Sequence, residues 1–386
     1  MSLNKIKVLM IDSFGIGNDY PLYICKYLKR AGIDIGLVVI EDKVNSGNID
    51  YSLYPISPSK SKTTSKYKKM FKYYNYLFGI YKLIRQEKYN VIHFQYFRRR
   101  RIDSLYFAML KLMRIKLAFT VHDITPLNNS KLDHLFNLLV YKTADILFVH
   151  SNSNKRTLAQ KIKLNEEKIR VMPHGDFDNY IPDRIPTKSE AKKIFGLSQE
   201  DNVILFFGAI KEYKGLDILL NSLFLSSMKI NNLALIIAGL PETVKLELNY
   251  KNMISKLPKM IKVIYHTEYI PSTEVAKYFI ASDIVVLPYR KVTHSGITHL
   301  AYTFGRPVIA TKVGDFEESI EEGKSGFMIS SLNPENLSEK LIHAFSDKLK
   351  LEEMGKYARN FCATKYSWKD SAESLIPVYE EMIKNK

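Results

Sequence analysis

Leu287-Pro288-Tyr289-Arg290-Lys291-Val292-Thr293-His294-Ser295-Gly296-Ile297-Thr298-His299-Leu300-Ala301-Tyr302-Thr303-Phe304-Gly305-Arg306-Pro307 follows an apolar run, Ile284 to Leu287, that reads as a buried strand stopped by Pro288. Ser295 is suited to cap a helix, Ile297, Leu300, Ala301 and Phe304 repeat at helical spacing, and Gly305 with Pro307 supplies the stop. A new apolar strand, Val308 to Ala310, begins at once. Strand, loop, helix N-terminus and strand is the arrangement that turns unpaired backbone N–H groups and the positive end of a helix toward an anion, at the C-terminal edge of a parallel sheet. Arg290, Lys291 and His294 stand beside it, so the expected guest is a phosphate.

Outward from this stretch, the 386 residues are too many for one ordinary core, and two domains are expected. Apolar residues at 46% and charged residues at 25% fit a globular protein. No span has the apolar length of a membrane-crossing helix, and Asn4 and Lys5 lead into a strand-like run with no signal-peptide pattern. A cytoplasmic protein is therefore expected. Cys25 and Cys362 are far apart and in no metal-type spacing, so neither a disulfide framework nor a metal site is expected.

The net charge of +17 is unevenly placed: up to Tyr180 there are 30 Lys and Arg against 15 Asp and Glu. Lys60, Lys62, Lys66, Lys68, Lys69 and Lys72 are interleaved with Tyr67, Met70, Phe71, Tyr73, Tyr74, Tyr76 and Phe78. Arg98 to Arg101 follow, and behind them Ile102, Leu105, Met109, Leu112 and Met113 recur at helical spacing. Basic amphipathic segments with aromatics suit an anionic bilayer surface, whereas the plainer alternative is a solvated basic face over the core. No RNA-binding or helix-turn-helix signature accompanies the charge, so nucleic acid is not expected as a partner.

In chain order, Ile6 to Ile11 reads as a strand leading into the turn of Gly15 and Gly17 and a helix from Leu22 to Leu28, the first unit of a nucleotide-type α/β sheet. The two glycines serve either a phosphate or sugar contact or only the backbone of a tight turn. Ile33 to Ile40, Val91 to Phe94, Leu117 to Val121 and Ile146 to Val149 read as further buried strands. His122 and Asp123 end one of them at the ligand-binding edge. There the histidine steers a proton or holds a sugar hydroxyl, or else only pairs with the adjacent acid. The polar segment Asp178 to Ser189, with Pro182 and Pro186, reads as an interdomain linker. A second α/β series follows, in which the strand Val203 to Phe207 runs into Gly208-Ala209-Ile210-Lys211-Glu212-Tyr213-Lys214-Gly215 and an apolar helix. Two lysines in a turn that opens a helix suit a diphosphate, and Glu212 is a candidate partner for one of them. Leu233 to Gly239 and Ile261 to Tyr265 continue the strands with Ile284 to Leu287, Gly326 to Ile329 come later, and Trp368 to Ile383 reads as one final amphipathic helix.

These motifs together resemble the retaining GT-B glycosyltransferases of the family 4 (glycosyl transferases group 1) type, over nearly the whole chain. The residues that carry the likeness are the Gly15/Gly17 turn, His122-Asp123, Pro173-His174-Gly175, Gly208 to Gly215, Ser282-Asp283 and Gly305-Arg306-Pro307. The resemblance implies an α/β architecture of two Rossmann-like domains facing across a cleft. It places an acceptor domain over 1–180, a nucleotide-sugar donor domain over 181–365 and a helix crossing back over 366–386. It implies a hexosyltransferase that uses a nucleotide-sugar as substrate with no cofactor or bound metal. His122, Lys211 and Lys214 become catalytic residues. Gly15, Gly17, Gly208, Arg290, His294, Ser295, Gly296, Ile297 and Thr298 become donor-binding, and Asp123 and His174 acceptor-binding. With the basic first half, the acceptor is expected to be a glycan or lipid-linked sugar at the inner face of the cell membrane, in polysaccharide or glycolipid synthesis.

Two departures stand out. The family's usual pair of glutamates, seven residues apart before the Gly-x-Pro, falls on Val292 and Leu300 here, and the arginine often found after the first glycine of the lysine turn is Ala209. The loss of the pair raises a second reading, a non-catalytic nucleotide-sugar-binding or scaffold subunit. No Asp or Glu is placed as a nucleophile, so the resemblance implies front-face substitution, with the leaving phosphate taking the acceptor proton.

Overall fold

The computed structural model describes residues 6–13, 20–39, 49–56, 65–96, 100–122, 124 and 131–384. Gly15, Gly17, Asp123, Lys60, Lys62, Arg98 and Arg99 lie outside the described residues. The chain divides into two compact units, Met1–Gly175 with Trp368–Lys386, and Asp176–Ser367.

Each unit is built on a parallel sheet. In the first, β1 (Lys7–Ile11), β2 (Asp34–Val39), β3 (Ser52–Pro55), β4 (Val91–Phe94), β5 (Lys116–Thr120), β6 (Ile146–Val149) and β7 (Ile169–Val171) take the order β3-β2-β1-β4-β5-β6-β7. In the second, β8 (Asn202–Phe207), β9 (Leu233–Ala238), β10 (Lys262–His266), β11 (Ile284–Leu287), β12 (Val308–Thr311) and β13 (Gly326–Ile329) take the order β10-β9-β8-β11-β12-β13. Strand order reverses beside β1 and beside β8, so in each sheet the strand that opens the series sits at the switch point where α/β ligands bind. The central strands β4, β6, β8, β9 and β11 are buried at every position, as strands covered by helices on both faces must be. Each buried Leu, Ile, Val or Phe among them contributes roughly 1.5–3 kcal/mol relative to exposure.

Side-chain alternation divides the first core in two. Leu9, Ile11, Ile92, Phe94, Leu117 and Phe119 face the helices Lys66–Glu87 and Arg100–Leu112, while Val8, Met10, Val91, Ala118 and Phe148 face Tyr20–Arg30 and the chain's last helices. His93 ties the C-terminus into this second layer: its ring nitrogens lie 2.6 Å from the Tyr379 hydroxyl and 2.8 Å from Thr120 Oγ1. Burial pushes its pKa down to about 3, so it is a neutral core histidine. The Trp368 indole lies on Gly175, where a β-carbon would come within 2.1 Å of the ring. The Pro173-His174-Gly175 triplet thus ends in a residue that only glycine can fill.

Three expectations change. The final helix is two, Trp368–Glu373 and Leu375–Lys384, because Pro377 lacks an N–H and its ring would strike the Glu373 carbonyl of a continuous helix. The segment read as a linker packs instead of dangling: Phe177, Tyr180 and Ile181 pack against the second core, and Thr187 opens the helix Lys188–Ile194 through a reciprocal capping box with Glu190. Two edge strands, β3 and β7, also come into view.

Candidate active site

The C-terminal ends of β8 and β11 carry the two phosphate candidates, and the structure brings them together. Gly208 leaves β8 with φ +95°, a conformation that favours glycine, and a β-carbon there would stand 3.2 Å from Lys214 Nζ and 3.3 Å from Ile297 Cδ1. The lysine turn, a 3-10 turn over Glu212–Lys214, is pressed onto the quoted stretch at its end: a β-carbon on Gly215 would lie 2.0 Å from the Pro288 carbonyl oxygen. Arg290 completes the brace. Its guanidinium donates to the Glu212 carbonyl at 2.8 Å and to Asp217 Oδ1 at 2.9 Å, and its amide donates to the Tyr213 carbonyl at 2.7 Å. Arg290 therefore holds the turn in place, with its charge already matched by Asp217.

Lys214 is the unusual member. Its side chain is buried, with 8% of the residue exposed, and its ammonium lies 5.4 Å from the centroid of the Tyr289 ring. Among the described residues no carboxylate lies within ion-pair distance of it. Burial, and then the neighbouring charge of Lys211, push its pKa down to about 8. Lys211 is half-exposed and lies 3.5 Å from Glu242 Oε1, so the carboxylate beside the turn is Glu242 and not Glu212, whose carbonyl is engaged by Arg290.

The helix Gly296–Thr303 points its start at this place. Ser295 occupies the N-cap position, but its hydroxyl makes no capping bond. The amides of Gly296 and Ile297 consequently have no acceptor among the described residues, which is the condition of a helix terminus that receives an anion. Thr298 is buried behind them with its Oγ1 unpaired. His294 pairs through Nδ1 with the buried Asp315, a partner the residue pattern did not disclose. Val292 and Leu300, at the glutamate positions, are apolar packing residues: Leu300 is buried in the second core, and Val292 sets its carbonyl against Gly314.

A separate cluster occupies the first unit. His122 stacks on Tyr96 with centroids 4.4 Å apart, meets Tyr20 edge-on at 5.1 Å, and places Nδ1 3.1 Å from His150 Nε2. His150 Nδ1 lies 3.1 Å from the Met172 carbonyl. A carbonyl only accepts, so His150 carries a proton on Nδ1. Gln95 Oε1, which likewise only accepts, lies 3.4 Å from His122 Nε2. His174 bonds the Gly175 carbonyl at 2.7 Å and sits 5.4 Å, centroid to centroid, from Trp368. His150, Tyr20, Gln95 and Tyr96 were not singled out from sequence, although His150 directly follows β6 just as His122 closely follows β5.

Residues 187–361 match the family model described as Glycosyl transferases group 1, and residues 18–175 match Glycosyltransferase Family 4. Each half of the chain thus carries a match to a glycosyltransferase family model. Among curated relatives, the D-inositol 3-phosphate glycosyltransferase of Corynebacterium glutamicum (strain R) is 24% identical, over 97% of this chain and 93% of its own. That of Corynebacterium jeikeium is 25% identical over 76% and 73%. In fold the chain is similar to sucrose-phosphate synthase from Thermosynechococcus elongatus, with a TM-score of 0.76 at 15% identity over 99% of this chain and all of the other. It is likewise similar to Anabaena Alr3699/HepE, solved in complex with UDP and glucose, with a TM-score of 0.75 at 15% identity over 97% and 100%. The shared architecture is GT-B, an α/β fold of two Rossmann-like domains. No helix among the described residues is long and apolar enough to cross a membrane.

Proposed function

We propose that this glycosyltransferase moves a hexose, with retention of anomeric configuration, from a nucleoside diphosphate sugar to a lipid-linked or other membrane-associated glycan. The step would belong to cell-surface polysaccharide or glycolipid synthesis. The observation that carries the reading is Lys214: a buried ammonium with no carboxylate partner among the described residues, beside Gly208 and the first turn of the helix Gly296–Thr303. A diphosphate supplies the missing countercharge. As the anomeric C–O bond breaks, negative charge grows on the leaving oxygen, and fixed cations and amides stabilise it more than the ground state. Lys211, Lys214 and the amides of Gly296 and Ile297 take this part, with no metal needed to balance the charge. The nearby carboxylates are committed, Asp217 to Arg290, Glu242 to Lys211 and Asp315 to His294, which favours substitution from the donor's own face over a covalent carboxylate intermediate. The acceptor hydroxyl then passes its proton to the departing phosphate. His122 holds a hydroxyl of the transferred sugar, and His174 lies on the acceptor side.

The membrane part rests on two neighbouring helices of the first unit. Lys66–Glu87 buries Tyr73, Tyr76 and Ile80 but exposes Tyr67 (79%), Phe71 (66%) and Phe78 (65%). Arg100–Leu112 buries Tyr106, Phe107 and Leu110 but exposes Leu105 and Leu112. Between them runs an apolar groove of about 510 Å³ lined by residues including Tyr74, Phe78, Leu105 and Met109. Exposed apolar surface among lysines is the composition of a surface that lies on anionic lipid, here at the cytoplasmic face of the cell membrane.

Thermal stabilisation across a panel of nucleotide sugars, followed by release of nucleoside diphosphate with lipid-linked acceptors, tests the reading. One nucleotide series should stabilise the protein and turn over. The apolar side chains at Val292 and Leu300 favour a second reading, a donor-binding subunit without activity, which predicts stabilisation with neither transfer nor donor hydrolysis. Absence of stabilisation by any nucleoside diphosphate removes both.

A further inference from the structure

We propose a second anion site in the C-terminal unit, at the sheet edge opposite the lysine turn, that binds a phosphate dianion. A pocket of about 230 Å³ opens there. Asp283 enters it from just before β11 and Arg306 from just before β12, whereas the diphosphate loops leave the other ends of β8 and β11. The four residues of β11, rising about 3.3 Å each, set the two places on the order of 13 Å apart.

The pocket's charges do not balance. Lys188, Lys192, Arg306 and Lys348 line it against two carboxylates, Asp283 and Glu352. Asp283 is already committed: one oxygen pairs with Lys188 and the other accepts from the Val203 amide at 2.7 Å, with Lys192 Nζ 3.8 Å away. Lys192 is buried and donates to the carbonyls of Gln199 at 3.0 Å and Asp201 at 2.6 Å, which leaves it one further N–H. Arg306 Nε is buried with no hydrogen-bond partner among the described residues. A buried guanidinium N–H without an acceptor is costly, and an incoming oxyanion removes that cost while taking a second bond from the same planar group. Burial pushes the pKa of Arg306 and of Lys192 down, while Asp283 beside them pulls the other way. The volume is several times the roughly 30 Å³ share of a liquid water, so it admits a phosphate group with or without a small organic substituent.

The site stands apart from the donor reading and is tested apart from it. Calorimetric titration of the full chain uses inorganic phosphate and, separately, glycerol phosphate, with ionic strength held constant by chloride. The titrations are repeated in Lys214→Ala, where phosphate binding at the donor place is removed. Saturable binding of one anion should persist in Lys214→Ala and weaken at least tenfold in Arg306→Gln and in Lys348→Glu. Tighter binding of inorganic phosphate assigns the free ion, and tighter binding of the ester assigns an organic phosphate. If Arg306→Gln does not fold, the exposed Lys348→Glu decides alone. Absence of saturable binding, or binding lost in Lys214→Ala and kept in Lys348→Glu, overturns the proposal.

Discussion

Lys214 Nζ lies 3.2 Å from the point that a β-carbon on Gly208 would occupy, so the ammonium rests directly on the backbone leaving β8. Gly208→Ala therefore displaces the charge and adds strain at φ +95°. Affinity for nucleoside diphosphate should fall at least tenfold, about 1.4 kcal/mol, while the far-ultraviolet spectrum stays unchanged. Equal affinity in a calorimetric titration would detach Lys214 from the donor.

Lys214 also sets a pH dependence. Its pKa is pushed down to about 8 in the folded chain, against about 10.4 for an unperturbed lysine. Between those values the unfolded chain holds more protons, so stability without ligand rises with pH from about 8 and levels off above about 10.4. Below pH 8 the full penalty of burying the charge is present, on the order of 3 kcal/mol. Lys214→Met should raise the urea midpoint at pH 7, flatten the rise and abolish diphosphate binding. A lower midpoint at pH 7 would mean that the ammonium is paired in solution.

At the helix start, Gly296→Asp sets a carboxylate among the amides and the positive helix end, and nucleoside diphosphate binding should be lost. Gly296→Ala is the control. Its β-carbon would meet only the Phe177 ring edge, at 3.3 Å, so most affinity should survive. If both variants bind as the parent does, the phosphates lie elsewhere.

On the proposed reading, in which His122 acts on the moving sugar, His122→Ala should lower kcat far more than it raises the donor KM. His150→Ala removes the ring nitrogen that lies 3.1 Å from His122 Nδ1. It should reduce kcat less and shift the acidic limb of the pH–rate profile, a change that a purely structural role does not produce. An unshifted profile would reduce His150 to packing.

Wild-type protein should bind anionic vesicles at low salt and detach as ionic strength passes about 0.15 M, where charges act over roughly 8 Å. Lys68→Glu, Lys69→Glu and Lys72→Glu combined should prevent binding yet spare transfer to a soluble acceptor analogue. A wild-type chain that ignores such vesicles refutes membrane docking alone.

Legibility followed covering. β4, β6 and β11 are apolar runs because helices lie on both faces, and their bounds can be read directly from the residues. β3 ends in Pro55 and is exposed, and β7 is three residues with Arg170 at its centre. Edge strands of this kind carry no apolar run to read. The lysine turn and the helix start were legible because glycine, lysine and cap residues have local causes. The partners of those residues were not, since Glu242, Asp217, Asp315 and His150 meet them only through strand order.

Tyr379 and Trp368, at the far end of the chain, complete a layer whose other side is Val8, Met10 and Ala118. The second unit is thus spliced into the first, between Gly175 and Trp368. During synthesis the residues up to Gly175 emerge with one sheet face covered only by the helix Tyr20–Arg30, and all of 176–367 must be made before the rest of its cover arrives. The second unit, continuous in the chain, is the half that can be completed first on the ribosome, and a nascent chain released short of Tyr379 leaves the other half with a partly open apolar face for chaperones or proteases to find.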